Sequence, residues 1–91
     1  MTDTRVVNYR REECDVVVDR SSPFGNPFRI GRDGTRAQVV DKFREYFLDR
    51  ISRDNSFREQ VQELRGKVLG CSCRPEICHG DVIAAWLRGE L

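Results

Sequence analysis

Apolar residues recur along the chain in two periods, and the switches between them mark out the elements. Arg5–Asn8 is a short strand candidate. Asp15-Val16-Val17-Val18-Asp19 is a better one, since three consecutive β-branched residues bounded by charges suit a strand buried on both faces. The polar run from Tyr9 to Glu13 connects them. Cys14 stands alone at the mouth of the second strand, where a lone cysteine reads as a small buried hydrophobe. Thr35 and Gln38 have capping-box spacing and open a long helix whose apolar positions are Val39, Val40, Phe43, Tyr46, Phe47 and Ile51. Ser56 and Glu59 repeat that spacing ahead of a shorter stripe of Phe57, Val61 and Leu64, with Gly66 as the stop. Phe43, Phe47, Phe57 and Leu64 read as core. Lys67–Cys73 is the third strand, and from Cys78 a closing helix turns Val82, Ile83, Trp86 and Leu87 inward.

The order is strand, strand, helix, helix, strand, helix. Helical crossover material separates Asp15–Asp19 from Lys67–Cys73, so the two strands should run parallel with a right-handed connection. The pattern predicts one small α/β domain over residues 1–91, a minimal and mainly parallel three-stranded sheet with helices packed on it. Ligands of open α/β sheets sit outside the carboxyl ends of parallel strands. The two least regular segments, Arg20–Phe28 and Cys73–Asp81, leave the sheet there and should form one site.

At 91 residues the chain buries only about 60–65% of its unfolded surface, so the core is small. A net charge of +1 gives no bulk electrostatic case for nucleic acid. The charge is unevenly spread, however. Fourteen of the 16 basic residues are Arg, and from Arg20 to Arg36 four Arg face one Asp. Guanidinium forks suit phosphate and carboxylate; the plain alternative is a solvated face. No run approaches the ~18 apolar residues of a membrane span, and the first residues carry no signal-peptide core. A cytoplasmic, reducing setting is therefore expected. Clustered cysteines there serve as metal ligands or catalytic thiols before disulfides.

Three of the four cysteines and the single histidine lie within Cys71–His79. Residues two apart on an extended segment face one side, so Cys71 and Cys73 offer both sulfurs together, and beyond Pro75 the chain returns with Cys78 and His79. Three thiolates and an imidazole complete a tetrahedral zinc shell, although neighbours at Cys78 and His79 diverge by about 100° on a helix. An alternative shell takes Cys71, Cys73 and Cys78 with Cys14 or a water. Zinc stands ahead of iron, whose redox centres normally ask for four cysteines. Alternatively, Cys78 at a helix N-terminus is a nucleophile, His79 its base and Asp81 the orienting carboxylate. In the plainest reading the thiols are inert, His79 caps the helix and Asp81 complements its dipole.

Two prolines and a glycine keep Arg20-Ser21-Ser22-Pro23-Phe24-Gly25-Asn26-Pro27-Phe28 out of regular structure. Gly25 and Pro27 between them aim the Asn26 amide. Arg20, Ser22, Asn26 and the amides near Gly25 and Gly80 are candidate ligands for an anion, a nucleotide phosphate or a nucleic acid. The alternative pairs Arg20 with a carboxylate while Phe24 and Phe28 plug the sheet end.

At these two segments the chain resembles the domain of unknown function 4326 family, small proteins common in phages and bacteria. The resemblance rests on Asp15–Phe28 and on Leu64–Cys73 through Cys78-His79-Gly80-Asp81, and it covers nearly the whole domain. It implies a single small α/β domain and marks Arg20, Gly25, Asn26, Pro27, Cys71, Cys73, Cys78, His79, Gly80 and Asp81 as characteristic positions. It brings no established activity. The chain departs from the family at Ser72, where tryptophan is favoured, and at Cys14 and Asp19, where tyrosine and glycine are usual. Three classes of function remain: a zinc-stapled module binding a phosphate-bearing partner, a thiol- or metal-dependent enzyme acting on a nucleotide or modified base, and a protein that binds a host factor with a structural cysteine cluster.

Overall fold

The structure, a computed structural model, describes residues 4–72 and 76–91. Its elements are β1 (Arg5–Asn8), β2 (Val16–Val17), α1 (Arg36–Arg53), α2 (Asn55–Gln62), β3 (Val68–Cys71) and α3 (His79–Leu87), in the order the periodicity predicts. The sheet is entirely parallel among the described residues. Its order is β1-β3-β2, so the last strand in sequence lies in the middle. Val6 pairs with Leu69 and Asn8 with Cys71 on one side, and Val16 with Leu69 on the other.

This order sets a geometric problem. Residues 9–15 must carry the chain from the end of β1 back to the start of β2, past β3. They turn at once: Asn8 accepts the Arg10 amide on its side chain at 2.9 Å and the Arg11 and Glu12 amides on its carbonyl at 3.0 Å. They then cross the face of β3 at Gly70. A Cβ built there would lie 2.5 Å from Cys14 Sγ and 3.0 Å from Tyr9 Cβ, so only a hydrogen fits. Asp15 fixes the landing, donating its amide to Val68 O at 2.8 Å and accepting the Val68 amide on its carboxylate at 2.7 Å.

The other face carries the helices. Side chains alternate along a strand, so Leu69 and Cys71 point away from the connector, and both are buried in the core with Val6 and Val18. Helix α3 lies on β1 and β3, and α1 packs on α3 and α2. Phe43, Phe47, Phe57 and Leu64 are all buried, as their spacing predicts. Phe47 stands edge-on to both Phe57 and Trp86, with ring centroids 5.9 and 6.0 Å apart, which ties α1 to α2 and α3 at one residue.

Two local expectations are corrected. The second strand is shorter than Asp15–Asp19, forms an edge of the sheet rather than a strand buried on both faces, and leaves Val16 and Val17 half-buried. Helix α2 starts at Asn55, ahead of the capping box read at Ser56. Asp54, in extended geometry, ends α1 by donating its amide to Arg50 O and accepts the Phe57 amide on its side chain at 3.0 Å. One aspartate therefore stops one helix and starts the next. The capping box at Thr35 forms in both directions, 3.3 Å from the Gln38 amide to Thr35 Oγ1 and 2.9 Å from the Thr35 amide to Gln38 Oε1. Among the described residues no helix is long and apolar enough to cross a membrane.

Crowding at the crossover yields a sharp test. Gly70→Ala should lower stability by about 1–3 kcal/mol, the usual cost of overpacking, read as a lower urea midpoint at unchanged slope. An unaltered midpoint would contradict the crossing described here.

Candidate functional site

The carboxyl ends of β2 and β3 and the N-termini of α1 and α3 meet on one side of the molecule, around a cavity of about 130 Å³. Arg20, Asn26, Arg36 and His79 supply its polar wall together with Asp19, and Phe28, Ile30, Val39, Val40 and Ile77 its apolar wall. Cys71, Ser72 and Cys78 also line it. The two irregular segments line one cavity at the strand ends.

The loop after β2 is built by its own side chains. Ser22 Oγ donates to Asp19 O at 2.7 Å and accepts the Phe24 amide at 3.2 Å. The Asp19 carboxylate accepts both the amide and the hydroxyl of Ser21, and these bonds hold its pKa below the usual carboxylate value. Gly25 is required by the doubling back: a Cβ there would sit 2.6 Å from Arg20 Cα and 2.7 Å from Asp19 O. Arg20 clasps the far limb, donating to Asn26 O at 3.3 Å and to Phe28 O at 3.1 Å. Asn26 is buried; it donates to Val39 O in α1 at 3.2 Å and accepts the Phe28 amide at 2.9 Å. The residues expected to grip an anion thus first hold the loop together, and Asn26 ties it to α1. Arg20 and Asn26 still face the cavity, whereas Ser22 and Gly25 line only a neighbouring depression.

Helix α3 begins under similar constraints. The Asp81 carboxylate accepts the Cys78 amide at 3.0 Å. Gly80 is buried and lines neither depression; a Cβ on it would lie 3.3 Å from Val6 Cγ1 and 3.5 Å from Val18 Cγ2, so its small size sets the helix close on the sheet. His79 bonds through Nε2 to Val18 O. A carbonyl only accepts, so the proton is on Nε2 and the neutral ring keeps a lone pair on Nδ1. Burial lowers its pKa from the ordinary 6.5 and keeps it neutral.

The sulfurs of Cys71 and Cys78 lie 3.0 Å apart. The Cys71 sulfur, and then burial, push the Cys78 thiol well above its ordinary range. The proton stays on, which is the reverse of what a resting nucleophile needs. Cys73, the third expected zinc ligand, falls outside the described residues. Cys14 cannot complete the shell in its place, because it covers the Gly70 face of β3 while Cys71 points to the other. Among the described residues no three of His, Cys, Asp and Glu converge as metal ligands.

Three residues of this wall are not singled out as site residues by the sequence. Arg36 counts there only within the Arg20–Arg36 excess of arginine; it opens α1, whose first turn holds no acid, so a cation stands at the positive end of the helix dipole against the usual preference. That breach of rule is a second visible signal. Ile30 and Ile77 are 53% and 49% exposed and give no signal in sequence.

These features define a class: a small, all-parallel α/β domain with a thiol-lined, arginine-flanked cavity at its strand ends. The family model of a domain of unknown function (DUF4326) matches residues 3–89, and the chain belongs to that family. It is 38% identical over 81 residues to an uncharacterised 12.4 kDa protein from the nrdA-td intergenic region of Enterobacteria phage T4, a match covering 88% of this chain and 73% of that one. No solved structure matches the chain.

His79 is the single histidine, and its lowered pKa gives the pH dependence a sign. The unfolded chain takes up a proton near pH 6.5 and the folded chain resists, so stability present above that value is lost as pH falls below it. The exposed carboxylates with lowered pKa, Asp19, Asp33, Asp54 and Glu90, act only below their ordinary values of 3.8 to 4.5. The urea midpoint should therefore drop between pH 7.5 and 5.5 in the wild type and stay level in His79→Gln. Parallel curves would rule out His79 as the source.

Proposed function

We propose that this domain binds a small phosphate-bearing ligand of the nucleotide class in the cavity at its strand ends. One observation carries the reading. Arg36 is half-buried in the cavity wall and has no hydrogen bond or ion pair among the described residues. A guanidinium in a cavity wall with none of its donors used by the fold is open to a charge-assisted, bidentate pairing with an anion. The surroundings agree with it: Arg20 bonds only to neutral carbonyls, and the N-termini of α1 and α3 add their positive ends. The apolar wall suits a ring beside the charge.

The test is a melting-temperature panel at low salt followed by calorimetry. Nucleoside phosphates should raise the melting temperature while the matching nucleosides do not. Arg36→Ala should weaken binding at least tenfold, since a charge-assisted hydrogen bond contributes about 1.5–3 kcal/mol. The ligand-free melt should shift by no more than about 2 degrees, because the side chain holds nothing in the frame. If no phosphate compound moves the melt, the reading fails.

A second reading, a thiolate-bound zinc, is favoured by the approach of Cys71 to Cys78 and by the fixed tautomer of His79, whose carbonyl partner is of the kind that orients metal-ligating imidazoles. It needs Cys73 as third thiolate and sulfurs deprotonated by the metal itself. Elemental analysis should then give about one zinc per chain, and chelator should lower the melting temperature by at least about ten degrees. A metal-free protein with a chelator-insensitive melt would remove it.

A further inference from the structure

We propose that the ligand is one unit of a single-stranded nucleic acid, with successive phosphates along Arg36, Arg20 and Arg29 and a base against Ile30 and Ile77. This rests on the cavity being a phosphate site. Ligand pockets for whole small molecules run to about 300 Å³ and above. This one is about 130 Å³, so it seats part of a nucleotide and leaves the rest outside.

What lies outside is suited to a continuing strand. A second depression shares Arg20 and Asn26 with the cavity and extends to Arg29. Arg29 uses its backbone amide on Asp33, but its guanidinium has no partner among the described residues. Arg32 nearby is different, being paired with Asp33 at 2.9 Å. Between them the two depressions hold three guanidiniums and a single carboxylate, Asp19, a local excess of +2 in a chain whose total is +1. Ile30 and Ile77, both more than 45% exposed, stand in the cavity lining beside that track. Apolar side chains next to spaced phosphate donors match a strand with unstacked bases; in a duplex the base faces are hidden. A free mononucleotide would leave Arg29 unused.

The probe is anisotropy with labelled ten-nucleotide dT and dA strands, set against dTMP and dAMP in calorimetry and a ten-base-pair duplex. The strands should bind at least tenfold tighter than either mononucleotide and tighter than the duplex. Contact with two or three phosphates gives a log-affinity against log-salt slope of about −1.4 to −2. Arg29→Ala should weaken the strand severalfold and leave mononucleotide binding unchanged, whereas Ile30→Ser with Ile77→Ser, which strips the apolar wall of the cavity itself, should weaken both. If mononucleotides bind as tightly as strands, or Arg29→Ala is silent on strands, the strand proposal is overturned while the cavity reading stands. If neither binds, both fall. Equal competition by poly-glutamate would reduce the track to a general polyanion surface and would also overturn it.

Discussion

The arrangement depends on a single crossing, that of residues 9–15 over β3. A parallel pair normally needs a crossover of a dozen residues or more, usually a helix. Here β1 and β2 flank a strand that arrives fifty residues later, and the link between them is too short to hold a helix. It fits because Gly70 presents no side chain to it. With one face of the sheet closed by this strap, every helix must pack on the other. The short last strand can then be paired on both sides, by β1 and β2.

That packing brings the site together. Parallel strands put their carboxyl ends on one side, and helices entering from that side put their N-termini there. Three contacts between elements keep the gathering in register: His79 to Val18 O joins α3 to the end of β2, Asn26 to Val39 O joins the loop to α1, and the Cys71–Cys78 pair joins β3 to α3. Each lies in or beside the cavity wall, so cavity shape and tertiary stability are set by the same bonds. Backbone direction and arginine act in the same sense there, so a chain with almost no net charge can still gather local positive charge at one end of its sheet.

Much of this was legible before any coordinates. Element order, the Thr35 cap and the core positions Phe43, Phe47, Phe57 and Leu64 followed from period and turn chemistry, which are local. The shared site followed from a topological rule. What local pattern could not give was anything decided across space. The length of β2 depends on how far it pairs with β3, and the move of the α2 cap to Asp54 depends on where α1 runs out. Arg20 and Asn26 were read as ligands because a conspicuous loop side chain points to function, but their partners are main-chain carbonyls, which leave no mark in a sequence. Ile30 and Ile77 could be judged only by exposure. The approach of Cys71 to Cys78 was foreseeable, since a strand that ends and a helix that begins after a short turn must return to the same place.

The inversion at the site has a physical basis. A side chain whose donors are all engaged by the fold can serve a ligand only by giving up a bond, so binding would be charged against stability. Ser22 is in that position, Asn26 and Arg20 are partly so, and the Asp81 carboxylate only accepts, with the Cys78 amide already on it. Arg36 and Arg29 are not: neither has a side-chain partner among the described residues, and Arg36 stands where the helix dipole opposes it. A residue that works against local preference and holds nothing is where an outside partner adds most. The motif residues therefore build the frame, and the plainer arginines and isoleucines around it are the ones the frame leaves unengaged.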